Sequence, residues 1–161
     1  PTKTRLIEFG RFAAANRQRR GEGKPETFDF LGFTHVCSVD KRGRFFLRRL
    51  TARKRFRRKL QEIKEELRRR MHDSLSSVGN GLRSVLVGHR NYYGVPGNMP
   101  RVQRFHSAAL KLWLRIIRRR SQKGAAAWPW KRFSRMALRL IPRPRVAHPF
   151  PEARFAATHS R

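Results

Sequence analysis

The chain has 161 residues, with forty Lys and Arg against ten Asp and Glu, for a net charge of +30. Repulsion on that scale opposes compaction and calls for a polyanionic partner; nucleic acid comes first, because each phosphate neutralised by Lys or Arg releases counterions, and an anionic membrane surface is the competitor. A lone cysteine, Cys37, excludes an internal disulfide framework and a Cys-rich zinc site, and no apolar run approaches the roughly 20 residues needed to span a membrane.

Arg prevails among the cations, and its planar guanidinium contacts phosphate in bidentate fashion and stacks on bases. About a quarter of the chain is Leu, Ile, Val or Phe, above the roughly 20% below which highly charged chains stay disordered, so a modest core is expected. The single thiol suits a reducing compartment, here the cytoplasm. The start, Pro1-Thr2-Lys3-Thr4-Arg5, carries neither an apolar signal segment nor an initiator Met, and the chain reads as cut from something longer.

In chain order, the apolar stretch 4–12 predicts a strand and the charged, Gly- and Pro-containing stretch 13–26 a loop. Residues 27–38 and the run Arg44–Arg49, separated by Asp40-Lys41-Arg42-Gly43, predict a β-hairpin. From Thr51, a plausible N-cap, the period turns helical. Phe56, Leu60, Ile63, Leu67 and Met71 form one stripe, ending near His72-Asp73. A second helix is expected over 79–93, with Leu82, Val85, Leu86, His89 and Tyr93 on one face. Gly94, Pro96 and Gly97 break it.

A third helix over 99–120 tolerates Pro100 in its first turn. Its wide stripe of Val102, Phe105, Ala109, Leu112, Trp113 and Ile116, broadened by Leu110, Leu114 and Ile117, marks it as central. A fourth spans 130–140 with Phe133, Met136, Ala137 and Leu140 inward. The Pro-rich stretch from Pro142 is expected to be extended. The fold class is therefore α+β, mainly α: a short N-terminal β element at 1–50, a bundle of three to four helices at 51–141, and an extended basic tail at 142–161.

Lys41, Arg42, Arg44, Arg48, Arg49, Arg53, Lys54, Arg55, Arg57, Arg58 and Lys59 crowd the hairpin and the first long helix, with no acid among residues 41–61. Uncompensated repulsion of this kind points to a phosphate-binding surface. Further along, Arg58 with Glu62 and Glu65 with Arg69 are expected as i,i+4 pairs on a solvated face. Arg115, Arg118, Arg119, Arg120 and Lys123 form a second basic cluster; the helix macrodipole accounts for one or two of them and not for the run. Phe45, Phe46, Tyr92, Tyr93, Trp128 and Trp130 interleave with the charge. Core packing is preferred for Phe45 and Tyr93, while stacking on bases stays open for Tyr92.

Catalytic constellations are sparse. Asp29, Asp40 and Asp73 are far apart in sequence, whereas a two-metal polymerase site needs carboxylates that clamp two cations. The six His lack metal-ligand spacing, so no metal site or cofactor is expected in this chain. His89, on an apolar face, is expected to be a satisfied core histidine.

Three stretches together resemble the C-terminal part of group II intron reverse transcriptases, also called maturases. They are KTRLIEFGRFA with FDFLGFTH at 28–35; RRRMH at 68–72 with GHRNYYGVPGN at 88–98; and RRRSQ at 118–122 followed by WKRF at 130–133, IPRPRVAHPFP at 141–151 and ARF at 153–155. The first resembles the end of the palm, the other two the thumb or maturase-specific domain X. The resemblance implies a helical thumb that holds structured intron RNA or a template–primer duplex and assists splicing. It puts Phe30, Leu31, Gly32 and Phe33 near the primer grip, where a Gly lets a backbone approach closely. It makes His89, Tyr92, Tyr93, Pro96, Gly97 and Asn98 a family motif, either a corner of the bundle or an RNA contact. The Tyr-Ala-Asp-Asp motif, the fingers and most of the palm are absent. The implied chain is thus no enzyme on its own, and Mg²⁺ belongs to the parent polymerase. The alternatives are the non-catalytic half of a split or truncated polymerase, partnered by the missing palm and fingers, and a general basic RNA-binding protein.

Overall fold

The computed structural model describes residues 4, 6–40 and 42–148. It is an α+β, mainly helical chain, with a three-stranded antiparallel sheet and six helices among the described residues. The chain divides into two compact units, residues 1–52 and 53–161.

In the first unit, β1 (Phe28–Phe30), β2 (Phe33–Val39) and β3 (Phe45–Thr51) form a meander in the order β1-β2-β3. The expected hairpin is β2 with β3, in register from Val39 opposite Phe45 to Phe33 opposite Thr51. The stretch 27–38 is not one strand, however. Leu31 and Gly32 both have positive φ, 46° and 78°, between the paired Phe30 and Phe33. A two-residue loop with both central residues at positive φ is a type I′ hairpin turn. Gly32 therefore answers to the turn. Leu31 takes a left-handed conformation that costs a non-glycine residue about 1–2 kcal/mol.

The first unit also departs from expectation before the sheet. Residues 6–9 carry no strand, and α1 (Ala13–Arg19) forms where a loop was expected. Three successive Ala, the best helix formers, outweigh the charged stretch around them. Around this helix Arg20 pairs with Glu8 and Glu22, Arg17 with Glu22 at 3.2 Å, and Asn16 donates to Glu8 at 2.9 Å. Cys37 is a half-buried free thiol whose Sγ receives the Gly10 amide at 3.4 Å. His35 stacks on its cross-strand partner Phe28, with ring centroids 4.9 Å apart.

The second unit holds α2 (Arg53–Arg69), α3 (Leu75–Tyr93), α4 (Met99–Arg118), a single turn α5 (Gly124–Ala127) and α6 (Trp130–Leu140). Thr51 ends β3, and α2 begins two residues on, at Arg53. Helix α4 is central, burying eight side chains: Val102, Phe105, Ala109, Leu110, Trp113, Leu114, Ile116 and Ile117. Ile63 and Leu67 of α2, Leu82 and Leu86 of α3 and Phe133 and Ala137 of α6 complete its core, with Phe56, Leu60, Met136 and Leu140 packed on it. Each large apolar side chain so buried contributes roughly 1.5–3 kcal/mol.

Helix α3 starts four residues earlier than its apolar pattern indicates. Ser74 caps it by accepting from the Ser77 amide at 3.2 Å. Its glycines do not weaken the packing. A Cβ on Gly79 would stand 2.6 Å from Leu140 Cδ1 and 3.0 Å from the Trp113 ring, so this glycine lets the indole and α6 approach α3.

Candidate nucleic-acid interface

The two units carry their cations differently. In the sheet unit, Arg42 and Arg44 are exposed at the β2–β3 turn, and Lys41 lies outside the described residues. Asp40 organises this turn. Its carboxylate accepts from the Arg42 amide at 2.8 Å, the Arg44 amide at 2.9 Å and Arg44 Nε at 2.8 Å. These bonds, led by the Arg44 amide, hold its pKa below the ordinary aspartate value. Arg44 is therefore ion-paired, and the cluster is not wholly uncompensated. Arg48 is exposed and Arg49 half-buried on β3. At the other hairpin, Phe30 and Leu31 expose 58% and 68% of their surface, whereas Phe33 is buried.

In the helical unit, Arg53, Lys54, Arg55, Arg57 and Arg58 are all exposed. Arg58 and Lys59 both reach Glu62, at 3.1 and 3.0 Å, and these bonds, that of Lys59 first, lower the pKa of the carboxyl. The expected Glu65–Arg69 pair does not form. Arg69 pairs with Glu66 one residue closer, and Glu65 accepts from Gln61 at 2.6 Å. For Arg53, Lys54, Arg55 and Arg57 there is no carboxylate at ion-pair distance among the described residues.

Acids are confined to one flank of α2. A turn of about 100° per residue puts Glu62, Glu65 and Glu66 together with Arg55, Arg58, Lys59 and Arg69. Arg53, Arg57, Lys64 and Arg68 share the opposite flank. The acid-bearing flank faces a concavity of about 290 Å³ shared with Val85, His89 and Tyr93 of α3. The acid-free flank faces α4 across a groove of about 320 Å³ that also includes Lys111 and Arg115. Lys64, Arg68, Arg104 and Lys111 escape a reading along the chain, because they lie far apart in sequence. Helical geometry applied to each charge, rather than to each apolar residue, finds them.

The basic cluster after α4 is not one surface. Arg115 and Arg119 are exposed, but Arg118 donates through Nε to the Trp128 carbonyl at 3.0 Å and ties α4 to the segment before α6. Arg120 is half-buried, with its Nε enclosed.

The GHRNYYGVPGN segment forms the corner between α3 and α4. Asn98 is wholly buried and donates through Nδ2 to the Tyr93 carbonyl at 2.8 Å, while its own carbonyl accepts from Arg101 and Val102 as α4 begins. Pro96 is buried, and Gly97 takes φ 82°. Gly94 accepts from the amides of Ala147 and His148 at 2.8 and 3.1 Å, and His148 Nε2 meets the Asn91 carbonyl at 2.5 Å. Residues 142–148 thus lie along this corner; residues 149–161, also expected in the tail, are outside the described residues. Tyr93 is half-buried, and burial pushes its hydroxyl above the ordinary value. Tyr92 exposes 51% of its surface.

His89 is buried as expected but not satisfied. Its ring lies flat on Phe105, centroids 3.7 Å apart, and Nε2 is enclosed without a hydrogen-bond partner. Burial, with Lys59 nearby, pushes its pKa down to about 4, so the ring is neutral. Among the described residues, no three His, Cys, Asp or Glu side chains are grouped to hold a metal ion, and no helix is long and apolar enough to cross a membrane. Comparison with family models, with curated proteins and with solved structures gave no match.

Proposed function

We propose that the chain is the RNA-binding thumb and maturase-specific region of a group II intron reverse transcriptase. In this reading residues 53–141 are the thumb bundle, residues 142–161 its Pro-rich tail, and the sheet unit the end of the palm. The chain holds intron RNA or template–primer in the cytoplasm and assists splicing and mobility. One observation carries the proposal: Arg53, Lys54, Arg55 and Arg57 are exposed on the first turns of α2 without a carboxylate partner among the described residues. A surface kept only for solubility mixes its signs, whereas one kept for phosphates does not. The ordered FLGF, GHRNYYGVPGN and IPRPR motifs supply the family.

Catalysis belongs to the absent palm, with its Mg²⁺ and paired aspartates, so the chain alone does not extend a primer. It is the non-catalytic partner of a palm and fingers supplied elsewhere. Titration of the purified chain with structured intron RNA and with a plain duplex of equal length tests the reading. With roughly six phosphates neutralised, log affinity falls against log salt with a slope near −4 to −5. Intron RNA binds more tightly than the duplex, because shape and exposed bases add to charge. Equal affinity for both would favour a general basic RNA-binding protein.

A further inference from the structure

The sorting of charge across α2 has a counterpart on α4. On the acid-free flank of α2, Arg53, Arg57, Lys64 and Arg68 follow one another at steps of four, seven and four residues. On α4, Arg104, Lys111 and Arg115 follow at steps of seven and four. Both sets are stripes along one side of a helix, since i,i+4 and i,i+7 positions share a face. The two stripes border the same groove. Arg57 and Lys64 on one wall and Lys111 and Arg115 on the other stand around Leu60 and Leu112. At Lys111 the groove runs on into a second concavity of about 400 Å³, reached by Arg104. No Asp or Glu lines either space, and none of these cations has an ion-pair partner among the described residues.

Two cationic walls over an apolar floor fit one kind of occupant. The walls repel one another unless an anion lies between them, and the excess of positive charge is greatest for a partner with phosphates at regular intervals. At 1.5 Å per residue, Arg57 and Lys64 are about 10 Å apart along the helix and Lys111 and Arg115 about 6 Å, so several successive phosphates are within reach. Packed helices lie about 8–10 Å apart axis to axis. An RNA duplex, with two backbones wound about stacked base pairs, is too broad to enter such a cleft. Leu60, Ala108 and Leu112 offer the floor to sugars and base faces, which gain from apolar contact as phosphates do not.

We propose that the α2–α4 groove holds a single-stranded stretch of RNA by its sugar–phosphate backbone. The proposal rests on the RNA-binding reading above and adds to it the place and the strandedness of the contact.

The test uses the full chain and three probes: an unstructured oligouridylate, an RNA duplex, and oligoglutamate as an acidic peptide. Two triple variants carry the same change in net charge, Lys64→Gln/Lys111→Gln/Arg115→Gln in the groove and Arg69→Gln/Arg83→Gln/Arg139→Gln on α2, α3 and α6 away from it. All six side chains are at the surface, and thermal melts confirm that both variants fold. For the groove variant, the slope of log affinity for oligouridylate against log salt flattens by about 2, three contacts at roughly 0.7 each, and affinity falls at least tenfold at low salt. The variant away from the groove changes the slope by well under one. If the wild type binds RNA and both variants lose the same slope, the groove is overturned while the RNA-binding reading stands. If the wild type binds no RNA, that reading fails and the groove with it. Duplex binding that depends on the groove as strongly as oligouridylate binding overturns the single-strand assignment, and oligoglutamate binding as tight as oligouridylate overturns RNA as the occupant.

Discussion

Two glycines of α3 have opposite reasons to be there. Gly79 sits where a Cβ would meet Leu140 and the fully buried Trp113, and Gly88 faces open space. Replacement by Ala recovers up to about 1 kcal/mol of helix propensity at either position. At Gly79 that gain is outweighed by overpacking, which costs about 1–3 kcal/mol. Gly79→Ala therefore lowers the melting temperature and Gly88→Ala raises it, as calorimetry of the two variants will record. His89 makes a second residue-scale prediction. Its folded pKa is depressed from 6.5 to about 4, so the unfolded chain binds the extra proton first. The stability due to the neutral ring is fully present above pH 6.5 and is lost as pH falls toward 4. At that shift the loss is on the order of 3 kcal/mol. The groups facing the ring are Lys59, Arg55, Arg58 and Glu62 from α2, Arg90 and Tyr93 from α3, and His106 from α4. His106, which bonds the Pro142 carbonyl, is itself depressed by burial and adds to the trend in the same direction. Denaturant titrations across this range will show His89→Phe, which keeps the stack on Phe105, with a flatter dependence than wild type.

At the scale of elements, the apolar stripes decide the helical unit. Leu67 exposes 3% of its surface and Trp113 none. An unpaired carboxylate at either place costs several kcal/mol, comparable to the whole stability of a small domain. Leu67→Asp and Trp113→Asp unfold the helices. Arg58→Glu, which breaks one exposed pair, leaves the melt cooperative; circular dichroism of the three variants distinguishes these outcomes. The stripe of α4 and the limits of α6 were legible because a wide apolar face at 3.6-residue spacing has no other explanation. The start of α3 was not, since Leu75 and Val78 stand among Ser and Gly, and only the cap at Ser74 and the fit of Gly79 against Trp113 show why that segment is helical. The Leu31-Gly32 turn was hidden in the run FDFLGFTH because a leucine at positive φ defies the usual turn composition. The cationic site was half visible. The run through Arg53–Arg58 stands out in sequence, but the groove's walls come from residues about fifty positions apart, and their alignment is a fact of how α2 packs on α4.

For the whole molecule, charge opposes folding and favours binding, and salt separates the two. The chain carries +30, and ion pairs among its described residues, at Glu8, Glu22, Asp40, Glu62, Glu66 and Asp73, lie at the surface. Exposed pairs contribute between nothing and about 1 kcal/mol each, so screening them costs little. Screening the general repulsion gains more, since it acts between every pair of cations within a Debye length. That length shrinks from about 30 Å at 0.01 M to about 3 Å at 1 M. The apolar core of the helical unit, built around Phe105, Trp113 and Phe133, does not depend on charge and remains as salt is added. The melting temperature of the free chain therefore rises with sodium chloride over this range, while its affinity for RNA falls over the same range as counterion release loses its advantage. Polyanions stabilise the folded chain at low salt, in proportion to their affinity for it, and stop doing so at high salt. Scanning calorimetry with and without oligouridylate at several salt concentrations gives both curves in one experiment. A free chain that melts lower as salt rises would mean that its ion pairs outweigh its repulsion, and the cationic surface would then be a solvated one.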